Sequence, residues 1–356
     1  MEIALYIHIP FCDSKCGYCA FNSKINKNHL KESYMRFLRD TLRSKLQQEN
    51  YKITSVYIGG GTPSVVDYNL YNGIFETFNP YLIENSEINI EANPNSCTKE
   101  WIFHLKNLGV NRLSLGVQSF YKEKLEFLER DHSRDSIFHA LDFATSAGLS
   151  NISIDLIYGT PLCVRETLED EVKIASKLHI NHISAYQLSI DSGSRFFTQN
   201  KKEFIGEFCG FDSMGHFVRS LLEKSGFKQY EVSNYGRVIN DSYYKSQHNL
   251  AYWRGADYLG VGAGAVSCLK GTRYYEESKI ESFIKGTPPR VENLSIEDIA
   301  LERLFLGFRS LVGVDCKFLD SKKCELLLQE NKVYKNGNKI IASDYFLGDE
   351  LALFFS

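Results

Sequence analysis

Cys12, Cys16 and Cys19 stand in the run Cys-Asp-Ser-Lys-Cys-Gly-Tyr-Cys, three thiols on one short stretch. Thiolates so close together can each hold one iron of a cubane cluster. Such clusters ordinarily take four cysteines, and the next cysteine along the chain is Cys97. The fourth iron would then carry no protein thiolate, and an open coordination position is how a protein presents a metal to a substrate. The competing reading is structural zinc. Zinc asks for a fourth Cys or His at a regular spacing. His8 precedes Cys12 by four residues, but on a stretch whose strand pattern turns it elsewhere.

Two further groups of residues could contact a ligand. Gly59-Gly60-Gly61-Thr62-Pro63 follows an apolar run, and glycines let a backbone approach a bound molecule closely. Glu91, Gln118 and Asp155 (the last followed by Tyr158-Gly159) fall at the C-terminal ends of β-rich runs. Ligand sites of parallel β/α barrels lie at that end. Any one of these residues alone reads equally well as a helix cap or a loop closure; the ordered set does not. A last group is His248-Asn249-Leu-Ala-Tyr252-Trp253. A histidine is a natural axial ligand of haem iron, and aromatic rings can stack on a porphyrin. The same residue types also serve as ordinary packing.

These residues need a scaffold. Short runs rich in Ile, Val, Leu and Tyr predict strands over Ile3–Ile9, Ser55–Ile58, Glu87–Glu91, Arg112–Leu115, Ile152–Ile157 and His182–Leu188. Helical periodicity lies between them, over Ser33–Gln48, Lys99–Leu108 and Ser136–Ala147, with Gly109 and Gly148 where C-caps would fall. Strand and helix alternating about six times imply an α/β fold with a parallel sheet and right-handed crossovers. A closed eight-fold barrel typically takes about 250 residues, so a partial (β/α)6, TIM-like barrel is expected over residues 1–230.

Beyond Ser192 aromatics cluster (Phe196, Phe197, Phe204, Phe208, Phe211) in what reads as helix. Residues 231–286, with the His248 motif, read as a connecting region, and Thr287-Pro288-Pro289 as a linker. Residues 287–356 read as a small α+β, winged-helix-like domain. It would hold a helix over Ile296–Phe308 capped by Ser295, a second over Phe318–Glu330, and a hairpin turning at Asn336-Gly337 between Lys332–Lys335 and Lys339–Ala342.

The Cys-x3-Cys-x2-Cys pattern, with an aromatic before its last cysteine, resembles the radical S-adenosylmethionine (SAM) superfamily. In that superfamily a [4Fe-4S] cluster binds SAM through its open iron and cleaves it to a 5′-deoxyadenosyl radical, while the protein supplies position and shielding. Five segments narrow the likeness: His8-Ile-Pro-Phe-Cys12, Gly59 to Pro63, Arg112 to Phe120, Leu128-Glu-Arg130-Asp-His132 and Ile154 to Gly159. In this order they resemble the oxygen-independent coproporphyrinogen III oxidase family and its HemW-type haem chaperone relatives. That resemblance implies two SAM positions. Tyr6, Gly60 and Glu91 match residues around the SAM on the cluster; Tyr18, Gly61, Thr62, Gln118, Arg130 and Asp155 match those around the second.

The oxidases carry a further cysteine two residues after the third, and a long segment before the first strand. Here Phe21 occupies that position and the first strand starts near Met1. His248 to Trp253 looks like the H-N-x-x-Y-W motif of the chaperone branch. The resemblance therefore implies a protein that binds haem, with His248 as a haem contact, and passes it to an acceptor protein. The alternative is an oxidase that decarboxylates propionate side chains of coproporphyrinogen III.

Composition sets the outer bounds. The 356 residues are 43% hydrophobic and 24% charged with a net charge of -3, which favours neither nucleic acid nor an anionic membrane as principal partner. No basic leader and no membrane-length apolar run is seen, and nine cysteines without a disulfide pattern suit a reducing compartment. A cytoplasmic location is the expectation.

Overall fold

The computed structural model describes residues 1–199, 211–240 and 242–356. Six strands run in parallel in sequence order: β1 (Glu2–Ile9), β2 (Lys52–Gly60), β3 (Leu82–Ala92), β4 (Arg112–Gln118), β5 (Asn151–Tyr158) and β6 (His182–Gln187). The main helices between them are α1 (Lys31–Leu46), α2 (Asn72–Phe78), α3 (Lys99–Leu108), α4 (Lys122–Phe127), α5 (Arg134–Ser146) and α6 (Arg165–Ser176). β1 and β6 are not neighbours in the sheet, so the barrel is partial and α/β, as the alternation predicts. Local signals set the helix ends. Thr98 accepts from the Trp101 N–H at the start of α3, and Gly109 ends it at φ +118°, a conformation that favours glycine.

The strands alternate by face. Ile3, Leu5, Ile7 and Ile9 of β1, Val56 and Ile58 of β2, Leu113 and Leu115 of β4 and Ile152 and Ile154 of β5 pack into one continuous core under the helices. The opposite face is polar and still buried: Ser55, Glu87, Asn89, Arg112, Ser114, Ser153, His182 and Ser184. Parallel strands covered on both faces are usually apolar throughout. A polar inner face requires internal hydrogen bonds, because a buried unpaired polar group costs about 1–3 kcal/mol.

The stretch expected to connect two units extends the sheet instead. After α7 (Arg195–Thr198) and α8 (Phe211–Lys224) come β7 (Phe227–Gln229), β8 (Asn234–Ile239) and β9 (Ser242–Tyr243), joined antiparallel beyond β6. Helix α9 (Gln247–Trp253) follows. Strand β10 (Tyr258–Val261) then pairs parallel with β1, and β11 (Val266–Leu269), β12 (Thr272–Tyr275) and, after α10 (Ile280–Ile284), β13 (Arg290–Asn293) continue antiparallel. The chain beyond Thr287-Pro288-Pro289 thus still belongs to the large sheet through Asn293. Of the aromatics noted beyond Ser192, Phe204 and Phe208 lie outside the described residues.

A second hydrophobic cluster begins at α11 (Ile296–Phe308), whose start is a Ser295–Asp298 capping box. Next come β14 (Val314–Asp315), α12 (Ser321–Gln329), β15 (Val333–Asn336), β16 (Lys339–Ala342) and α13 (Gly348–Phe355). The strands order as β14-β16-β15, which gives the small unit a winged-helix-like sheet. Asn336 pairs with Lys339, so the two-residue turn is Gly337-Asn338, one position later than the sequence suggests. With Gly337 at φ +58° and the chain's Asn338 outside the positive region, the turn takes the glycine-first form.

Candidate functional site: the cysteine loop and the barrel mouth

The cysteine loop leaves the end of β1 and is tied down on both sides. Cys12 N–H donates to the Lys24 carbonyl at 3.1 Å, Lys24 N–H donates back to Pro10 at 2.7 Å, and Phe196 N–H donates to Gly17 at 2.8 Å. From β2, Gly61 N–H donates to Ile9 at 2.8 Å and Thr62 N–H to Phe11 at 2.7 Å. The glycine turn therefore lies directly against the cysteine loop. A Cβ on Gly61 would stand 2.6 Å from the Phe11 carbonyl oxygen and 3.1 Å from Cys12 Sγ. Gly60 is required for a second reason, its φ of +117°.

Cys12, Cys16 and Cys19 are all free, partly exposed thiols on the wall of one cavity of about 190 Å³. The same wall carries Tyr18, Gly60, Gly61, Thr62, Glu91, Gln118, Arg130 and Asp155. Eight of the predicted contacts thus meet at the C-terminal mouth of the barrel, drawn from β2, β3, β4 and β5 and from the loops after β1, β2 and β4. A deeper cavity of about 290 Å³ continues into the barrel past Tyr57, Arg112, Ser184 and Tyr186, sharing Tyr18, Glu91, Gln118 and Asp155 with the first.

The electrostatics suit a polar ligand. Glu91 accepts from Tyr57 Oη at 2.7 Å and from Gly60 N–H at 3.0 Å, yet burial and the nearby Asp155 carboxyl raise its pKa to about 7. Burial also lifts Asp155 above the ordinary carboxylate value, with Ser114 Oγ 3.4 Å away. Arg130 is a cation beside the thiols. Its Nη1 donates to Cys16 Sγ at 3.2 Å and its Nη2 to the Gly116 carbonyl at 2.8 Å, while its buried Nε has no partner among the described residues. Gln118 sits at φ +64°, a strained conformation for a residue with a side chain, and such strain concentrates at ligand sites.

Two predicted residues are placed elsewhere. Tyr6 lies one layer down and lines neither cavity; its hydroxyl donates to His8 Nδ1 at 2.9 Å, as His8 Nε2 donates to the Asn22 carbonyl at 2.9 Å. His248 is 1% exposed. Its Nδ1 meets Ser55 Oγ at 3.0 Å and its Nε2 meets Tyr252 Oη at 3.2 Å. Burial, reinforced by the Arg112 charge, pushes its pKa down to about 3, so the ring is neutral. An iron ligand needs a free nitrogen, and here both are occupied. The structure therefore does not bring His248 to the cavity as a haem contact. The motif residue that does reach the inner cavity is Asn249. Sequence reasoning also passed over Tyr57, Arg112 and Ser184; their alternation with apolar neighbours on β2, β4 and β6 is the signal that places them inside.

The fold and mouth are those of a radical SAM domain: the radical SAM superfamily model matches residues 6–175. The solved coproporphyrinogen III oxidase HemN of Escherichia coli superposes over 99% of this chain and 90% of its own with a TM-score of 0.81, at 19% identity, a likeness of fold. A heme chaperone HemW of Bacillus subtilis is 32% identical over 324 residues, 88% of this chain and 84% of that one. A heme chaperone HemW of Haemophilus influenzae is 33% identical over 382 residues, 99% of this chain and 98% of that one. The chain belongs to the HemW family of the radical SAM superfamily.

Proposed function

We propose that this protein is a haem chaperone that binds haem and passes it to an acceptor protein, and that it carries a [4Fe-4S] cluster and SAM at the barrel mouth. What carries the reading is kinship along nearly the whole chain with proteins named heme chaperone HemW. Phe21, where the oxidases have a further cysteine, supports the chaperone branch over the oxidase branch.

The residues at the mouth fit the cluster. Cys12, Cys16 and Cys19 would each hold one iron, leaving one iron without a protein ligand. The close approach at Gly61 leaves no room for a side chain between Cys12 and the glycine turn. When bound, the cluster supplies electrons to SAM on its open iron. The chain's own share is positional. Arg130 donates to the Cys16 sulfur, which in a cluster would temper its negative charge. Gly60 and Glu91 would shape the wall for one SAM, and Gly61, Thr62, Gln118 and Asp155 would offer contacts to a second. Glu91, poised near neutrality, can accept or release a proton at its carboxyl. No helix of the described residues is long and apolar enough to cross a membrane.

Anaerobic reconstitution with iron and sulfide, followed by haem titration, tests the proposal. The expected result is a cluster seen by EPR, a haem absorption band, and no vinyl product when coproporphyrinogen III, SAM and reductant are added. Formation of protoporphyrinogen would transfer the protein to the oxidase branch. A reconstituted protein that takes up no haem would overturn the chaperone reading.

A further inference from the structure

Helix α9, with the His248 motif, has no part in the function proposed so far, yet it reaches the inner cavity. We propose that Asn249 contacts the ligand bound at the mouth, an adenosyl amino acid of the SAM type, and that His248 is a positioning residue that holds α9 in place. This rests on reading the two joined cavities as the SAM site.

Three observations carry the assignment. First, Asn249 lines the 290 Å³ cavity together with Tyr57, Glu91 and Asp155. Its backbone N–H is taken by Ser246 Oγ at 3.2 Å, but its side-chain amide makes no hydrogen bond to the described residues. An amide offers two donors and an acceptor, which suits a ligand that carries a carboxylate, an amine and a heterocyclic edge.

Second, every other contact of α9 immobilises it. The Glu87 carboxylate accepts from Gln247 N–H at 3.0 Å and His248 N–H at 3.1 Å. Leu250 and Ala251 are buried. At the other end Arg303 of the small unit donates to the carbonyls of Arg254 and, at 2.6 Å, Gly255. Third, His248 links α9 to the strand that carries the glycine turn. It bonds Ser55 on β2, and its ring lies 5.2 Å from that of Tyr57, whose hydroxyl holds Glu91. A histidine buried with both nitrogens used fixes geometry rather than binding a metal.

The test uses the anaerobically reconstituted full chain and labelled SAM as probe, read by equilibrium binding and by the SAM-dependent change in the EPR spectrum of the reduced cluster. Losing one hydrogen bond to a polar ligand group should weaken binding about tenfold. Asn249→Ala and the size-preserving Asn249→Leu should both do so, with iron content, haem absorption and thermal midpoint unchanged. His248→Ala should weaken SAM binding and alter the EPR change. His248→Gln, which keeps a donor and an acceptor, should restore both in part. Asn249 variants that bind SAM as tightly as the parent chain would overturn the proposal, as would a His248→Ala protein that loses haem while SAM binding stands. Absence of a cluster or of SAM binding in the parent chain would instead sink the reading beneath it.

Discussion

The two motifs that stand out along the chain end up in opposite physical states. The cysteine loop is partly exposed and incompletely paired: three free thiols share a cavity wall, and the Nε of the neighbouring Arg130 has no partner among the described residues. The His248 motif is the reverse. Glu87, Ser55 and Tyr252 take up the polar groups of His248 itself, which is buried. Both contain residue types able to bind iron. Only the first leaves them able to do so, because ligation needs a lone pair that no internal partner already holds.

The sharpest way to break this contrast is to remove one member from each side. Cys12→Ala, Cys16→Ala or Cys19→Ala should each abolish the cluster, read as iron and sulfide falling to background after reconstitution. Chemical denaturation of the apo form should shift by less than about 1 kcal/mol, as for other half-exposed substitutions. On the α9 side Glu87→Gln should do the opposite. Among the described residues Glu87 is the one carboxylate ion-paired with buried Arg112, at 3.9 Å, and it caps α9. Breaking that buried pair should cost about 3–5 kcal/mol. Iron content at low temperature should be retained. A Glu87→Gln protein of parental stability would show that the α9 network is not what holds the barrel interior.

How much of this was legible beforehand follows the same division. The six strands and the helices between them could be read because their outer faces obey hydrophobic periodicity, and α3 and α11 fall on their predicted bounds. The cysteine loop, the glycine turn, Glu91, Gln118 and Asp155 could be read because ligand residues collect at strand C-termini, whatever the detail of the pairing. What could not be read was long-range partnership. Nothing local says that Glu87 and Ser55 wait for α9 some 160 and 190 positions later. Without those partners His248 looks available and residues 231–286 look like a connector. Strands β10 to β13 escaped for the same reason: they are four residues each, and β10 is placed by its parallel partner β1, over 200 residues upstream.

Among the interior groups with an unpartnered atom, Glu231 is ionisable and gives a smaller, pH-dependent effect. Glu231 is 1% exposed, at the joint where it bridges Ser310 and where Leu311 N–H donates to the Tyr230 carbonyl at 2.8 Å. Its Oε1 has no partner among the described residues, and burial raises its pKa to about 8. The tyrosines around it, Tyr230, Tyr235 and Tyr345, are themselves pushed upward by burial and stay neutral in this range. The unfolded chain releases the Glu231 proton near 4.5, the folded chain near 8. Between those values the folded state binds more protons, so stability falls as pH rises through the window. Glu231→Gln cannot ionise. It should match the parent near pH 4.5 and exceed it by a few kcal/mol, order of magnitude, above pH 8. Parallel pH–stability curves for the two proteins would mean that Glu231 is already ionised or solvated in the fold.

The smallest effect separates space from conformation at the mouth. Gly61 does not have a positive φ, so alanine is conformationally allowed there; the obstacle is the Phe11 and Ile9 carbonyls at 2.6 and 2.9 Å from the added Cβ. Backbone cannot swing away as a flexible side chain can, so the cysteine loop itself must shift. Overpacking of this kind typically costs about 1–3 kcal/mol. The displaced atoms belong to the loop that carries the thiols, so the damage should surface more in the cluster than in the fold: faster iron loss to a chelator, with a modest fall in thermal midpoint. Gly193→Ala is the matched control, because its Cβ would meet nothing within 4 Å and its φ is unexceptional. If Gly61→Ala retained iron as long as Gly193→Ala, close contact between turn and loop would not be what stabilises the centre, and the openness of the mouth would be its only distinction from the interior.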